Sequence, residues 1–433
     1  MKISIVGAGH VGLVTGACFA EIGHQVLCVD NDAEKLELLR KGEIPFYEPG
    51  LEQLVRRHLE TKRLCFSNSI REGVLRSAVI FIAVGTPSRP NGEADLSFVE
   101  SVSHEIAQAM KGYRLIVEKS TVPVETGEWV HRTIRQSLRR RIPFDVASNP
   151  EFLREGQAVE DFMHPDRIVI GVESKKAERL LLEIYRPLKA PMVVTDIKSA
   201  EIIKHASNSF LSMKISFINA IATLSEKVGA DVVKIAEGIG LDRRIGKNFL
   251  SAGVGFGGSC FGKDLAAFVR IAEKAGIDFE LLKEVQRINQ RQREQLVQKV
   301  EQAVWNLKGK TIGILGLSFK PDTDDLRDAP AVDIIRALQK EGALVRATDP
   351  AAMENAKQLL GGVELCADAY ETARGADCLV LMTEWKEFKT LHLKRLKSLM
   401  ASPTLVDGRN LFDPKQMQKA GFRYFSIGRP SRS

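Results

Sequence analysis

Residues 2–30 read KISIVGAGHVGLVTGACFAEIGHQVLCVD, and this stretch decides the fold. The apolar run at Lys2–Val6 predicts a short buried strand, residues 13–22 predict a helix, and residues 25–30 predict the next strand. A turn with three glycines lies between the first strand and the helix. Glycines there let a pyrophosphate approach the backbone at the helix N-terminus. The order strand, turn, helix, strand therefore predicts a Rossmann-like dinucleotide-binding domain.

The turn and the end of the second strand also predict which dinucleotide binds. Gly7 and Gly9 leave room for the pyrophosphate, and Gly12 lets the helix pack closely. Asp30 ends the second strand, where a carboxylate accepts hydrogen bonds from a ribose and repels a 2′-phosphate. These residues favour NAD over NADP. The alternative is a glycine-rich turn without a cofactor, which the combination of features disfavours.

The composition is typical of a globular protein with more than one domain. The 433 residues are 44% hydrophobic and 27% charged, and their length predicts two to four domains. The net charge of +7 is dispersed along the chain, which suits anionic ligands such as nucleotides and predicts no nucleic-acid or membrane partner. Six cysteines without metal-ligand spacing favour a reduced, cytoplasmic protein that holds no metal. The apolar run after Lys2 imitates a signal peptide, but its glycine spacing argues against one.

Secondary-structure patterns divide the chain into three parts. Strands and helices alternate at first, two long helical runs follow, and a second alternating part without the full glycine fingerprint completes the chain. This order predicts an α/β protein in which two Rossmann-like doubly wound domains are joined by a central helical domain with a long helix. The expected parts are a cofactor domain at 1–198, a central dimerisation domain carrying the reactive cysteine at 199–308, and a nucleotide-holding domain at 309–433. Residues 428–433 are expected to form a disordered tail.

The first long helix, predicted at 199–229, carries two distinct faces. Its polar face contains Lys204, Asn208, Ser212 and Asn219. Its apolar face predicts a buried central axis and, through that surface, a homodimer interface; that face holds Ile203, Phe210, Phe217, Ile221 and Leu224. An alternative for the lysine is that its aliphatic stem simply carries the ammonium to solvent.

Residues 253–264 read GVGFGGSCFGKD and predict a nucleophilic cysteine. The five glycines let a ligand or a second backbone approach Cys260 closely. A helix is predicted from Asp264 onward, so Cys260 lies just before a helix start, and Lys263 lies between the cysteine and that helix. A helix N-terminus and a nearby cation both favour the thiolate, which is the reactive form. The alternative is a buried cysteine in a glycine-rich turn.

Polar residues also follow the predicted strands at 78–84, 115–121 and 144–147. Thr86 and Thr121 stand at carboxyl ends of parallel strands, which face the ligand crevice in a doubly wound sheet. Their alternative role is to cap the strand before a proline. Glu151 and Glu155 lie four residues apart, so they share a face if this segment is helical. An exposed acidic helix start is the ordinary explanation for that pair.

The segment FGGSCFGKD at 256–264 resembles the active-site segment of the UDP-glucose dehydrogenase family, and segments from Gly7 to Arg409 resemble that family over nearly the whole chain. The resemblance implies a four-electron oxidation of UDP-glucose to UDP-glucuronate with two NAD and neither metal nor flavin. It implies a thiohemiacetal and then a thioester on Cys260, with Lys204 stabilising the oxyanion. The implied catalytic residues are Cys260, Lys204, Asp264, Asn208, Thr121 and Glu151.

The resemblance also implies two sets of binding residues. For NAD they are Gly7, Gly9, Val11, Gly12, Asp30, Lys35, Thr86, Thr121, Glu155, Lys263 and Arg327. For the nucleotide sugar they are Glu151, Phe152, Leu153, Arg154, Glu155, Lys204, Asn208, Arg244, Phe249, Leu250, Ser251, Ala252, Gly253, Gly257, Lys320 and Arg409. In the family, the counterpart of Arg244 reaches the partner subunit's site.

Several alternatives stay open at this point. Lys320 and Arg327 are also consistent with solvated loop charges. The segments YEPGL at 47–51 and RIGKNF at 244–249 favour UDP-glucose, whereas related enzymes oxidise UDP-N-acetyl-hexosamine or GDP-mannose. A two-electron hydroxyacid dehydrogenase shares the lysine and asparagine helix but lacks the cysteine loop. From a different class, a nucleotide-binding redox sensor would use Cys260 as its oxidisable thiol.

Overall fold

The structure, a computed structural model, describes residues 1–89 and 91–430. It confirms the predicted α/β class. The chain forms two compact units: the first contains Met1–Ser207 and Ala266–Gly276, and the second contains Asn208–Leu265 and the described part of Ile277–Ser433.

The first unit is built on an eight-stranded sheet with the order β3-β2-β1-β4-β5-β6-β7-β8. Every neighbouring pair is parallel except β6 and β7. The strand order reverses between β1 and β4, and in such a sheet ligands bind beyond the carboxyl ends at that point. The strands are β1 (Lys2–Val6), β2 (Gln25–Val29), β3 (Leu64–Ser67), β4 (Val79–Ile82), β5 (Arg114–Glu118), β6 (Phe144–Ser148), β7 (Ile168–Val172) and β8 (Met192–Thr195).

Helices cover both faces of this sheet, and the apolar core lies on each face beneath them. The first helix begins at His10, three residues before its predicted start, because the turn glycine Gly9 serves as its N-cap. The helices are α1 (His10–Glu21), α2 (Ala33–Arg40), α3 (Leu51–Glu60), α4 (Ile70–Arg76), α5 (Ser97–Ala109), α6 (Thr126–Ser137), α7 (Ala158–Met163) and α8 (Lys175–Tyr185), followed by a 3₁₀ turn at Arg186–Leu188.

The long helix predicted at 199–229 is present as α9 (Ile197–Val228), whose residues up to Ser207 belong to the first unit and whose later residues belong to the second. Its polar face is buried, with Lys204 and Asn208 only 4% and 7% exposed. Its apolar row at Phe210, Phe217 and Leu224 is 52–57% exposed. This arrangement is the reverse of an ordinary surface helix, so both faces require a functional explanation.

The second unit contains further helices and a six-stranded, fully parallel sheet with the order β11-β10-β9-β12-β13-β14. The strands are β9 (Thr311–Leu315), β10 (Leu344–Thr348), β11 (Val363–Leu365), β12 (Cys378–Leu381), β13 (Thr404–Asp407) and β14 (Arg423–Ser426). The helices are α10 (Val232–Gly240), α11 (Phe261–Lys274), α12 (Glu280–Val304), α13 (Pro330–Lys340), α14 (Met353–Leu359), α15 (Ala369–Ala373), α16 (Lys386–Lys389), α17 (Leu393–Leu399) and α18 (Pro414–Lys419). The last part of α11 belongs to the first unit.

The predicted disordered tail is wrong where it can be described. The Gly428 nitrogen donates to Glu226 Oε1 at 2.6 Å, and Arg429 Nη1 donates to the Phe412 carbonyl at 3.0 Å. These bonds tie the chain end to α9 and to a loop of the second unit. Residues 431–433 lie outside the described part. Within residues 1–89 and 91–430, every helix is too short or too polar to span a bilayer.

Candidate active site

The turn between β1 and α1 has the geometry of a pyrophosphate cradle. Gly7 has φ +101°, and a Cβ there would lie 2.4 Å from the Ala83 carbonyl oxygen. A Cβ on Gly12 would lie 1.8 Å from the Gly7 carbonyl oxygen, so the helix packs on the turn only because residue 12 is glycine. A Cβ on Gly9 would meet nothing within 4 Å. The turn is therefore tight where it packs on the protein and open at the helix N-terminus, which fits a bound pyrophosphate.

Asp30 directs its carboxylate toward this turn. Oδ2 accepts a hydrogen bond from the Ala8 nitrogen at 2.7 Å, and Lys35 Nζ lies 3.1 Å from both carboxylate oxygens. Oδ1 also accepts from the Asp32 nitrogen at 3.0 Å. The carboxylate is thus held in one orientation beside the phosphate turn. Because each oxygen can accept more than one hydrogen bond, this placement fits recognition of ribose hydroxyls.

Thr86 and Thr121 lie together at the carboxyl ends of β4 and β5. Thr86 Oγ1 donates to the Thr121 carbonyl at 2.9 Å. Ser120 Oγ donates to the Val84 carbonyl at 2.8 Å, which ties the two strand ends a second time. The two predicted threonines therefore share one edge of the sheet, as the parallel-strand argument required.

Glu151 is not part of a helix, so the interpretation of Glu151 and Glu155 as neighbours on a helical face is wrong. Residues 151–157 form a loop, and α7 begins only at Ala158. A local hydrogen bond offers a physical reason, because the Glu151 side chain accepts from the Leu153 nitrogen and such bonds compete with helix formation. The exposed acidic helix start is also wrong for Glu151, whose side chain is only 6% exposed.

Glu151 and Lys204 form a buried ion pair. Lys204 Nζ lies 3.0 Å from Glu151 Oε1, and the Leu153 nitrogen donates to Glu151 Oε2 at 2.6 Å. The Lys204 side chain is 5% exposed, so the alternative in which its ammonium reaches solvent is wrong. Phe152 lies beside the pair, with its ring centroid 5.3 Å from Lys204 Nζ. A charge pair held this far from water can act strongly on a reacting oxygen.

The rest of this loop is held from outside by Glu48, which sequence reasoning did not assign. The buried Glu48 carboxylate accepts hydrogen bonds from the Gly156 and Ala158 nitrogens at 2.7 and 2.8 Å. The same carboxylate lies 2.7 Å from His10 Nε2 at the start of α1. Glu48 therefore links the loop of Glu151 to the cofactor turn. Its signal was its place in the segment at 47–51, which was assigned only to sugar preference.

Two other members of this loop have identifiable surroundings. Arg154 donates twice to the carboxylate of Asp161 and is largely exposed. The Phe152 ring lies 3.6 Å from the guanidinium carbon of Arg167. Glu155 and Leu153 are half-buried.

Cys260 lies immediately before α11 and is exposed, so the alternative of a buried cysteine is wrong. The Asp264 nitrogen donates to the Cys260 carbonyl at 2.8 Å, which begins the helix. By contrast, burial raises the pKa of Cys28 to about 12. Exposure and the helix N-terminus both favour a reactive thiol at position 260.

Two of the implied catalytic residues, Asn208 and Asp264, contact each other four residues after this cysteine. Asn208 Nδ2 donates to Asp264 Oδ2 at 2.6 Å, and Lys263 Nζ lies 3.2 Å from Asp264 Oδ1. Asp264 is 1% exposed and Asn208 is 7% exposed. The polar face of α9 is therefore buried because it provides a partner for the aspartate one turn after the cysteine.

The glycines before Cys260 permit close packing against neighbouring loops of the second unit. A Cβ on Gly257 would lie 2.3 Å from the Asp328 carbonyl oxygen, and one on Gly253 would lie 2.7 Å from the Gly408 carbonyl oxygen. Gly258 has φ +87°, and a Cβ there would lie 2.8 Å from the Phe319 ring. Of the two predicted roles of these glycines, approach by a ligand or by a second backbone, the structure shows the second.

Two residues of α12 hold the same loop and were missed by sequence reasoning. Asn289 accepts from the Phe256 nitrogen at 2.8 Å and donates to the Phe256 carbonyl at 3.0 Å. Arg293 Nη2 donates to that carbonyl at 3.1 Å and pairs with Asp328 at 2.8 Å. Both side chains are buried. Their spacing of four residues on a helix was the available signal.

The remaining basic residues differ in the contacts that they make within the protein. Arg409 donates to the Met382, Phe319 and Gly255 carbonyls at 2.8, 3.0 and 3.3 Å, so its guanidinium joins loops of the second unit. Arg327 pairs with Asp325 at 2.7 Å on an exposed loop. Lys320 Nζ lies 5.7 Å from the Phe319 ring centroid. Recognition of phosphate or sugar by these residues stays a prediction.

The loop after α10 contains the other predicted sugar-binding residues. Arg244 is 89% exposed and pairs only with the nearby Asp242, at 2.6 Å, among its described ion pairs. Phe249 has φ +65°, and Leu250 and Ala252 after it are buried whereas Ser251 is exposed. The Arg244 guanidinium is therefore accessible to solvent, and its reach into a partner's site stays a prediction.

Comparison with known proteins agrees with this geometry. The chain matches the UDP-glucose/GDP-mannose dehydrogenase family in its NAD binding domain over residues 1–189, its central domain over 198–291 and its UDP binding domain over 313–414. UDP-glucose 6-dehydrogenase TuaD of Bacillus subtilis (strain 168) is 49% identical over 99% of this chain and 94% of that protein. UDP-glucose 6-dehydrogenase of Rhizobium meliloti (strain 1021) is 50% identical over 99% of this chain and 100% of that protein.

A solved structure is similar over almost the same extent. The UDP-glucose dehydrogenase from the hyperthermophilic archaeon Pyrobaculum islandicum superposes with a TM-score of 0.92 at 40% identity, covering 98% of this chain and 96% of that one. These matches confirm the resemblance that the cysteine segment and the glycine turn indicated. The chain belongs to the UDP-glucose/GDP-mannose dehydrogenase family.

Proposed function

We propose that this protein is an NAD-dependent UDP-glucose 6-dehydrogenase that converts UDP-glucose, two NAD and water into UDP-glucuronate and two NADH. The observation that carries the proposal is an exposed cysteine at a helix start, on the same chain as a phosphate turn suited to NAD. Close relatives named UDP-glucose 6-dehydrogenase support this substrate over other nucleotide sugars.

NAD, when bound, accepts a hydride from C6 of the sugar in each of the two oxidations. Cys260 then supplies what a two-electron dehydrogenase lacks, since its thiolate adds to the aldehyde carbon and retains it as a thiohemiacetal. The second oxidation converts this adduct into a thioester. Water adds to the thioester carbon, the thiolate leaves, and UDP-glucuronate is released. Covalent retention prevents the aldehyde from escaping.

The other assigned residues stabilise charge and move protons. The Lys204 ammonium stabilises negative charge on the sugar oxygen, and Glu151 and Thr121 complete its network of protons and water. Asn208 positions the water that cleaves the thioester, and the Asp264 carboxylate positions that water or accepts its proton. Gly7, Gly9, Gly12, Asp30 and Lys35 hold the cofactor, and among the described residues no group of three His, Cys, Asp or Glu could hold a metal ion.

The reaction predicts a fixed stoichiometry, which is its most direct test. With limiting UDP-glucose, two NADH should form for each sugar consumed, measured by absorbance and by product chromatography. A hydroxyacid-type reaction would give one NADH, and a nucleotide-binding redox sensor would give none. A parallel panel of UDP-N-acetyl-hexosamine and GDP-mannose should show a much lower kcat/KM. Equal turnover on any of them would contradict the proposed substrate.

We also propose that two copies associate through the exposed apolar row of α9. Phe210, Phe217 and Leu224 recur every seven residues, which places them along one line of the helix. A row of large exposed side chains on a 32-residue helix is costly in water, and a two-fold contact buries the same row on both copies. Val228, 67% exposed, extends the row.

Arg244 is proposed to complete the partner's site, and subunit mixing tests this. Arg244→Ala and Cys260→Ala proteins should each be inactive, but after subunit exchange about a quarter of wild-type activity should return. Half of the dimers are then mixed, and each mixed dimer has one site with both residues intact. The same mixture before exchange is the control. If native mass spectrometry confirms mixed dimers and no activity returns, Arg244 acts within its own chain.

The functional division of the chain is proposed as a cofactor part at 1–198, a central dimerisation part with the catalytic cysteine at 199–308, and a UDP-sugar part at 309–433. The cytoplasm is the proposed location. Within the described residues no cysteine forms a disulfide, which is compatible with a reducing compartment.

A further inference from the structure

One buried carboxylate in the first unit holds both the cofactor turn and the loop of Glu151. Glu48 lies between α2 and α3, and its side chain is 0% exposed. Its Oε2 accepts hydrogen bonds from the Gly156 nitrogen and from His10 Nε2, both at 2.7 Å, and its Oε1 accepts from the Ala158 nitrogen at 2.8 Å. Three donors from two distant segments therefore converge on this one side chain.

Both segments lie where a ligand is expected. His10 is the first residue of α1, directly after Gly9, so its side chain leaves the helix at the end that faces the expected pyrophosphate. Residues 151–155, which the family resemblance assigns to the nucleotide sugar, belong to the loop that ends at Gly156 and Ala158. All of these residues belong to the first unit. The Glu48 carboxylate thus connects the expected cofactor site to the expected substrate loop.

The link between His10 and Glu48 is well defined in direction and in packing. An ionised carboxylate only accepts hydrogen bonds, so His10 Nε2 is the donor in this contact. The imidazole also packs on Phe46, with 5.0 Å between the two ring centroids. A buried carboxylate is costly unless its oxygens are hydrogen-bonded, so the arrangement with all three donors in place is strongly favoured over one that lacks a donor.

We propose that Glu48 and His10 are positioning residues through which NAD and UDP-glucose strengthen each other's binding. The proposal rests on the proposed function. A pyrophosphate at the start of α1 favours the position of His10 seen here, and a sugar nucleotide favours the ordered loop that presents Gly156 and Ala158. Each ligand thereby favours the geometry that satisfies Glu48, and so prepares the site of the other. Residues that only stabilised the fold would leave the two affinities independent.

The first test measures binding, so it does not depend on catalysis. Calorimetry gives the Kd of UDP-glucose for the wild type alone and with saturating NADH, a reduced cofactor that cannot oxidise the sugar. NADH should tighten UDP-glucose binding by about fivefold or more, and UDP-glucose should tighten NADH binding by the same factor. His10→Leu removes the imidazole but keeps both backbone bonds of Glu48, and both factors should then fall to about one.

Glu48→Gln tests the same link from the other side. An amide has one donor group in place of an acceptor oxygen, so either orientation sets its NH₂ against the backbone N–H of Gly156 or of Ala158. The coupling should be lost, and KM for UDP-glucose should rise by about tenfold because the loop loses an anchor. The fall in kcat should be smaller, since Glu151 and Lys204 are unchanged. If Glu48→Gln does not fold, His10→Leu alone decides.

His58→Leu is the matched control. His58 Nε2 lies 2.6 Å from Glu21 Oε2, which makes a similar pair of histidine and carboxylate at the opposite end of α1. This variant should lower Tm at least as much as His10→Leu does, because the His58 side chain is only 5% exposed. Both coupling factors should nevertheless stay at the wild-type value, since neither expected ligand segment is touched.

The outcomes separate this inference from the function on which it rests. Coupling in the wild type and in His58→Leu, together with its loss in His10→Leu, supports the inference. A wild type that forms two NADH per UDP-glucose but binds each ligand equally well with and without the other overturns it. Coupling that survives in folded His10→Leu overturns it too, as does coupling that His58→Leu also loses. A wild type that binds no UDP-glucose, with or without NADH, overturns the proposed function and this inference together.

Discussion

Cys260→Ala is expected to lose at least about a thousandfold in the rate of UDP-glucuronate formation. The substitution removes one exposed sulfur atom at the start of α11, so it should leave the fold and the melting temperature nearly unchanged. The first oxidation stays chemically possible, but the aldehyde is no longer captured. Rapid-quench chromatography of the product, with NADH absorbance in parallel, measures both halves of the reaction.

Cys260→Ser separates addition from hydrolysis. Its oxygen is a weaker nucleophile that could still add to the aldehyde, but the ester formed after the second oxidation should hydrolyse slowly. We expect at most about one turnover's worth of NADH and an adduct that intact-protein mass spectrometry locates at residue 260. Cys65→Ala, at a half-buried cysteine of β3, is the matched control and should keep its activity. Near wild-type product formation by Cys260→Ala would refute the covalent mechanism.

Sequence predicts well those parts of this protein whose structure is determined by residues that are close together in the chain. The turn at Gly7 and Gly12 follows from glycine alone, because a Cβ at either position would overlap the backbone. The long helix follows from apolar periodicity without proline. The signal that identifies Cys260 is also local, because glycines precede it and a helix begins after it in the sequence.

What sequence could not predict depends on contacts between distant segments. Glu151 and Lys204 are 53 residues apart, and only the folded sheet brings them to 3.0 Å. Arginine often binds phosphate, but the Arg409 guanidinium donates to three backbone carbonyls, and no local sequence pattern reveals these contacts.

Replacing Lys204 in its ion pair with Glu151 is expected to have the second large effect on activity. Lys204→Met should lower kcat by about a hundredfold to a thousandfold, because one charge that stabilises the oxyanion is lost. It should also destabilise the first unit by about 3–5 kcal/mol, since the Glu151 carboxylate stays buried without its cation. Steady-state kinetics and thermal melting measure the two effects separately.

Adding Glu151→Gln to Lys204→Met tells these effects apart, because the double variant no longer buries a lone charge. Its Tm should recover most of the loss while its activity stays low. Lys198→Met is the matched control on the same helix, where the lysine pairs with Glu128 at 2.9 Å in solvent. An exposed pair contributes little, so this control should keep its activity and melting temperature. If the double variant regains activity together with stability, Lys204 serves only to neutralise a buried carboxylate, and its assignment as the oxyanion-stabilising residue is wrong.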